Sequence, residues 1–156
     1  MPRVCASQAS LFAQLGEADP SPTGGTGRAR RPEPPPRWRL SVLGSGSGGN
    51  CAVLARQREA VLLDAGFGPR TIERRLAQAG LRLSDVQAIC LTHLDRDHLR
   101  ESWPEAARAM GIPLHLHHWH LDTLHALPSG PELLHEGLVE PFDRDPFQPV
   151  EGLTAR

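Results

Sequence analysis

Apolar and polar positions begin to alternate regularly at Trp38, and from there they predict a series of strands and helices. Short runs that alternate, or that are apolar throughout, are typical of strands. The predicted strands cover 39–43, 51–55, 60–63, 86–91, 112–117 and 138–142. Apolar residues at helical spacing predict helices, and these cover 69–80, 103–110 and 118–126. We therefore expect the chain to fold from residue 38 onward.

The first 37 residues have a different composition, rich in Pro, Gly, Ser, Thr and Arg. Such a segment cannot bury enough apolar surface to offset the entropy lost on ordering. We predict a disordered extension at 1–37, followed by one domain at 38–156. Arginines at 28, 30, 31, 37 and 39 could form a basic patch for RNA or an acidic partner, but a solvated linker explains them equally well.

Charge, hydropathy and cysteine content exclude several classes of protein. The net charge of −1 at pH 7 gives no general attraction to nucleic acid or to a membrane surface. No apolar run is long enough to span a membrane, and the N-terminus lacks a signal-peptide pattern, so we expect a cytoplasmic protein. The three cysteines, Cys5, Cys51 and Cys90, have no CxxC spacing. This favours reduced apolar side chains over a disulfide framework or a cysteine zinc site.

Candidate metal ligands are concentrated directly after the apolar run 86–91. The segment HLDRDH at 93–98 contains four side chains that can bind metal, His93, Asp95, Asp97 and His98. Imidazole and carboxylate together suit zinc, manganese or iron, and neighbouring ligands on a turn can reach two adjacent ions. The alternative is a solvated Asp/Arg turn with two surface histidines, because short motifs also occur by chance.

A glycine-rich loop, GSGSGGN at 44–50, connects the first two predicted strands. Gly44, Gly46 and Gly49 satisfy the GxGxxG pattern of dinucleotide-binding loops. Such a loop opens a helix directly after its strand, whereas here another strand-like run follows, so we reject that function. The glycines instead allow the backbone to approach a ligand or a neighbouring strand closely.

Together the two motifs resemble those of the metallo-β-lactamase-fold hydrolases. Segment 93–98 is similar to the HxHxDH motif of that family, and loop 44–50 is similar to the GSGSxGN turn of its phosphodiesterase-like and exonuclease-like branch. His93, Asp97 and His98 match the first His, the Asp and the last His of HxHxDH. Asp95 stands where the family usually has its second His, and a carboxylate there is a harder, charged donor.

The resemblance implies an α/β fold for 38–156: the N-terminal half of a four-layer αββα sandwich with a mixed sheet. It also implies two divalent metal ions. Zinc is the first expectation, and the Asp95 carboxylate makes manganese or iron possible as well. His93 and Asp95 would hold the first ion, and Asp97 and His98 the second, which gives Asp97 a catalytic place. Asp64, after the run 60–63, would support a metal-binding His from outside the ligand set; the alternative is a simple turn-former.

The family implies hydrolysis by a water activated between paired metals. Phosphodiester hydrolysis is the first expectation, while the residues do not separate a nucleic acid from a cyclic nucleotide or another ester as substrate. The later motifs of the family, a third His, a bridging Asp and a final His, would lie beyond Arg156.

Two alternatives stay open. In the first, the chain is a non-catalytic fragment that binds metal weakly or needs a partner to complete the fold, and it self-associates through an exposed sheet face. In the second, it is a histidine-rich metal-binding or storage protein. The histidines concerned form a cluster: His115, His117, His118, His120 and His125. Incidental surface histidines also explain this cluster.

Overall fold

The computed structural model describes residues 37–156, which form a mixed six-stranded sheet and a separate two-stranded sheet. The strands of the large sheet follow one another in chain order: Arg39–Gly44 (β1), Cys51–Arg56 (β2), Glu59–Leu63 (β3), Val86–Leu91 (β4), Leu114–His117 (β5) and Val139–Phe142 (β6). The pairs β1–β2 and β2–β3 are antiparallel, whereas β3 to β6 are parallel. The predicted mixed sheet is confirmed. The predicted disordered extension lies outside the described residues, except for Arg37.

Four α-helices connect the parallel strands: Pro69–Gln78 (α1), Trp103–Met110 (α2), Leu121–His125 (α3) and Gly130–His135 (α4). The sequence predicts α1 and α2, because a proline lies in the first turn of each and a left-handed glycine follows each, Gly80 with φ 77° and Gly111 with φ 66°. The single helix predicted at 118–126 is wrong. Its first three residues, His118–His120, form a 3-10 turn, and α3 begins only at Leu121.

The core lies between the helices and one face of the large sheet. Alternation along β2 turns Cys51, Val53 and Ala55 toward this core. The completely buried side chains that fill it from the helices include Ile72, Leu76, Trp103, Leu124 and Leu133. The Trp103 indole Nε1 donates a hydrogen bond of 2.7 Å to the Phe67 carbonyl, so its polar atom is satisfied where it is buried. Packing in this core fixes the positions of the ends of β3 and β4 relative to each other.

The other face of the sheet is only partly covered. A two-stranded antiparallel ribbon, Phe147–Val150 (β7) and Leu153–Ala155 (β8), lies on this side, where Phe147 stacks on His115 of β5 with ring centroids 5.5 Å apart. At the β1 edge, Leu40 and Val42 are 60% and 68% exposed. The exposed apolar residues of the sheet thus lie on its edge strand among the described residues, and self-association through an exposed sheet face stays a prediction. Within residues 37–156, no helix has the length and apolar character to cross a membrane.

Candidate metal centre

The candidate ligands lie where two parallel strands end side by side. Strand β4 ends at Leu91 and delivers the segment 93–98, and its neighbour β3 ends at Leu63, directly before Asp64. A backbone hydrogen bond of 2.6 Å from the Ala65 N–H to the His98 carbonyl joins the two strand extensions. The carboxyl edge of parallel strands is the usual place for a binding site in α/β folds. Here the sheet register itself brings Asp64 to the metal motif.

Three of the four predicted ligands, His93, Asp97 and His98, form what we call the motif group. Each offers one ligand atom, and these atoms lie within 4.8 Å of one another. The two imidazole rings are tilted, with centroids 3.8 Å apart, and His98 Nε2 lies 3.5 Å from Asp97 Oδ2. Two ligands that share one ion at about 2 Å lie at most about 4 Å apart. The group therefore fits a divalent ion after small side-chain rotations.

Asp95, the fourth predicted ligand, lies at the margin of this group. Its carboxylate is 3.6 Å from His93 Nε2, but its side chain is 80% exposed and no hydrogen bond orients it among the described residues. It faces His93 and not the Asp97–His98 pair, as expected if Asp95 and His93 share one ion. The structure thus brings Asp95 within reach of the site without holding it there.

Asp64 and Thr92 orient both histidines of the motif group. The Asp64 carboxylate accepts hydrogen bonds from the Thr92 N–H at 2.8 Å, the Thr92 hydroxyl at 2.9 Å and His98 Nδ1 at 2.8 Å. The Thr92 hydroxyl also lies 3.0 Å from His93 Nδ1. Because a carboxylate only accepts hydrogen bonds, Nδ1 of His98 donates and its Nε2 keeps the lone pair. The same tautomer follows for His93 when the hydroxyl donates to Asp64. This is the arrangement by which a carboxylate prepares a histidine for a metal.

Asn50, the last residue of the glycine-rich loop, joins the site from the β1–β2 side. Its side-chain Nδ2 donates to Asp97 Oδ2 at 3.0 Å and lies 3.0 Å from His98 Nε2, which agrees with an unprotonated Nε2. Its Oδ1 accepts from the Gly46 N–H at 3.0 Å. Sequence reasoning assigned no function to Asn50 or to Thr92. The available signals were the terminal Asn of the GSGSxGN turn and the hydroxyl directly before His93.

Close backbone approach at this site requires glycine at one position and strain at another. A Cβ on Gly66 would overlap the Asp97 carbonyl oxygen and would lie 2.6 Å from the Asn50 nitrogen. Asp64 has a left-handed backbone, with φ 59°, a conformation that is uncommon for residues other than glycine but is tolerated by Asp and Asn. Strain of this kind persists where surrounding contacts determine the conformation, and here Thr92 and His98 supply those contacts.

The cysteines near the site lie outside its cluster of candidate ligands. Burial, followed by the nearby Asp64 charge, raises the pKa of both Cys51 and Cys90 to about 12. Both thiols are therefore protonated near neutral pH, whereas a metal binds the thiolate. Neither residue belongs to a cluster of ligand atoms in the described part of the chain. This agrees with the expectation of reduced, apolar cysteines; Cys5 lies outside the described residues.

Comparison with known proteins identifies the family. The family model of the metallo-beta-lactamase superfamily matches residues 44–152. The chain is 38% identical over 61 residues to an exodeoxyribonuclease, YycJ, of Bacillus anthracis, an alignment that covers 39% of this chain and 23% of that protein. It is 36% identical over 62 residues to the exodeoxyribonuclease WalJ of Streptococcus pneumoniae, covering 40% of this chain and 23% of that protein.

Among solved structures, a metallo-beta-lactamase of Cronobacter sakazakii with a HARLDQ motif superposes with a TM-score of 0.55 at 18% identity. The superposition covers 74% of this chain and 49% of that one, so the chain spans about half the length of that structure and a smaller share of the nucleases. At this identity the likeness shows the fold alone, and it confirms the predicted α/β architecture. Because the family model matches more than half of the sequence, the chain belongs to the metallo-beta-lactamase superfamily.

Proposed function

We propose that this chain supplies the N-terminal ligand set of a metal-dependent hydrolase that cleaves phosphodiesters at a dinuclear site. The observation that carries the proposal is the network of Asp64 and Thr92, which contacts Nδ1 of both His93 and His98 and holds the two rings beside the Asp97 carboxylate. Such tautomer control has no use in a solvated surface turn. It is what a pair of metal-binding histidines requires.

The residues of the site have different proposed roles. His93 and Asp95 face each other across 3.6 Å and would hold one ion, while Asp97 and His98 would hold the second. Bound divalent ions supply Lewis acidity and an activated water for attack on the substrate. We assign the catalytic place to Asp97. Asn50 Nδ2 donates a hydrogen bond of 3.0 Å to the Asp97 carboxylate and so holds it between the glycine-rich loop and the metal motif. Zinc suits this donor set first, and the carboxylate of Asp95 also favours manganese or iron.

DNA is the substrate class that we propose. The two bacterial relatives are named exodeoxyribonucleases, and the glycine-rich loop typical of that branch contacts the motif group through Asn50. The net charge of −1 provides no general attraction to a polyanion, so the metals themselves would supply the local positive charge.

A second candidate function is metal binding without turnover, in a chain that needs a partner polypeptide to complete the fold. The open β1 edge, where Leu40 and Val42 are 60% and 68% exposed, favours it, since contiguous exposed apolar residues mark association surfaces. This candidate predicts bound metal, association in solution and no hydrolysis.

The test is to purify the chain, measure bound metal by elemental analysis, and assay bis-p-nitrophenyl phosphate and single-stranded DNA with added zinc or manganese. We expect hydrolysis that is lost in a His93→Ala, Asp97→Ala double variant. His125→Ala is the matched control, because His125 is exposed and lies outside the motif group. Metal binding without turnover would contradict the hydrolase proposal for this chain and support the second candidate. Absence of metal in the purified chain, with none taken up on dialysis, would contradict both.

A further inference from the structure

We propose a second metal site, mononuclear and separate from the motif group, formed by His117, His118 and Asp143. These three residues are called the rim group. His117 ends β5, His118 begins the 3-10 turn that follows it, and Asp143 comes directly after β6. Each offers one ligand atom, and the three atoms lie within 4.8 Å of one another. The carboxylate reaches the two histidines because β5 and β6 are parallel neighbours in the sheet.

The spacing within the rim group is compatible with a shared metal ion. Asp143 Oδ1 lies 3.4 Å from His117 Nε2 and 3.9 Å from His118 Nδ1. Two ligands on a tetrahedral ion at about 2 Å are about 3.3 Å apart. Charge-assisted hydrogen bonds between the same groups would be about 2.7–2.9 Å. The two distances are therefore long for direct pairing and close to those that one shared ion would impose.

The donor set determines the class of ion. Two imidazoles and one carboxylate suit zinc, iron(II) or nickel, whereas calcium and magnesium prefer oxygen donors. Three protein ligands leave at least one coordination position open, as in metal sites that bind an exchangeable ligand. The rim group is exposed, with 45% of the His118 side chain and 61% of the Asp143 side chain accessible, so ions and small anions reach it directly.

The rim group borders a cleft whose wall also includes Thr92, a residue that contacts the motif group. The cleft has a volume of about 560 Å³, and Thr92, His117 and Asp143 all contribute to its wall. Thr92 in turn contacts His93 and His98. An anionic group held at the open position of a rim-group metal would thus lie in a cleft whose wall includes Thr92.

Metal binding at His117 changes the hydrogen bonding of the neighbouring turn. In the structure, His117 Nδ1 accepts a long hydrogen bond of 3.3 Å from the Trp119 N–H. A metal on Nε2 requires the ring proton to move to Nδ1, so this hydrogen bond is lost. The centroids of the Trp119 and His117 rings are 4.5 Å apart, and Trp119 is 74% exposed. Its fluorescence therefore reports occupancy of the rim group.

The first experiment measures zinc per chain, by elemental analysis after equilibrium dialysis, in four forms of the full chain: wild type, His93→Ala with Asp97→Ala, His118→Ala with Asp143→Asn, and all four substitutions together. We expect each double variant to lose part of the zinc and the fourfold variant to lose all of it. The matched control is His120→Ala with Asp145→Asn. These residues line the same cleft but lie outside the rim group, so zinc content should not change.

The second experiment follows tryptophan emission during zinc addition to the His93→Ala, Asp97→Ala variant. We expect a saturable change that disappears when His118→Ala and Asp143→Asn are added, or when Trp119→Phe removes the reporter. Zinc content and emission that are unaffected by His118→Ala with Asp143→Asn would overturn the proposal. The outcome is independent of the hydrolase proposal, because neither measurement requires turnover and the rim group is read with the motif group removed.

Discussion

The motif group and the rim group contain the same ligand chemistry, two histidines and an aspartate, but differ in how their side chains are held. In the motif group, a nearly buried Asp64 and the Thr92 hydroxyl anchor both Nδ1 atoms, and the His98 side chain is only 19% exposed. In the rim group, a hydrogen bond from another described residue anchors the ring of His117 alone, through the 3.3 Å contact with the Trp119 N–H. Support from neighbouring residues, and not ligand type, thus distinguishes them, and we expect the motif group to bind metal more tightly.

The difference follows from position in the sheet. The motif group lies at the end of β3 and β4, two central strands covered by the core, so its supporting residues are themselves immobilised. The rim group lies at the end of β5 and the edge strand β6, where the Asp143 carboxylate is 61% exposed. The following substitutions test whether support is what separates the two groups.

Gly66→Ala should have the largest effect. The new Cβ would overlap the Asp97 carbonyl, so the backbone that carries the motif group must move, at a cost of about 3 kcal/mol in the free energy of unfolding. Denaturant unfolding measures the cost, and dialysis should show metal lost from the motif group only. Gly68→Ala is the control, because a Cβ there meets nothing closer than the Ser102 hydroxyl at 3.7 Å. Equal stability of the two variants would contradict this account.

Asp64→Asn tests the anchoring carboxylate with little change in shape. Asn tolerates the left-handed φ of 59°, but its amide lacks the charge and one of the acceptor oxygens that hold Thr92 and His98. We expect metal affinity of the motif group to fall about 10- to 100-fold, with no change at the rim group. Competitive zinc titration against a chelator measures both. A uniform loss at both groups would indicate general unfolding instead.

Thr92→Val removes the hydroxyl and keeps the volume of the side chain. His93 Nδ1 then loses its acceptor at 3.0 Å, while His98 keeps its bond to Asp64, so one ring becomes free to rotate. We expect a fall of about tenfold in metal affinity, at the lower end of such effects. Thr92→Ser should bind metal like the wild type, since it retains the hydroxyl. Equal metal affinity of the Thr92→Ser and Thr92→Val variants in the titration would mean that the hydroxyl does not orient His93.

Asp95→His should produce the smallest effect, a change in metal preference. The substitution restores the usual HxHxDH pattern and replaces a hard oxygen donor with imidazole, so zinc should be favoured over manganese. Competition between the two ions, measured by elemental analysis, gives the ratio. Asp145→His is the control for adding a histidine elsewhere at the cleft. An unchanged ratio would mean that Asp95, 80% exposed, is not a ligand.

Much of the fold could be predicted from the sequence. The strands at 51–55, 60–63 and 86–91 and the helices around Leu76 and Ala107 follow from local periodicity and from proline and glycine at the helix ends. Helix α4 was not predicted, since GPELLH at 130–135 is too short for a clear period. The sequence predicts an α-helix at 118–120, where the structure has a 3-10 turn, because this short His-rich stretch has no periodicity that distinguishes a 3-10 turn from an α-helix.

By itself the sequence determined the candidate ligand residues and the strand that carries them, because His93, Asp95, Asp97 and His98 lie within six positions directly after an apolar run. Only the tertiary structure decided which neighbours orient them. Asn50 and Asp64 are 48 and 34 residues away in sequence from His98, which they contact. Asp143 is 26 residues away from His117. These contacts exist because sheet order and register place the ends of distant strands together, and local sequence patterns contain no information about that pairing.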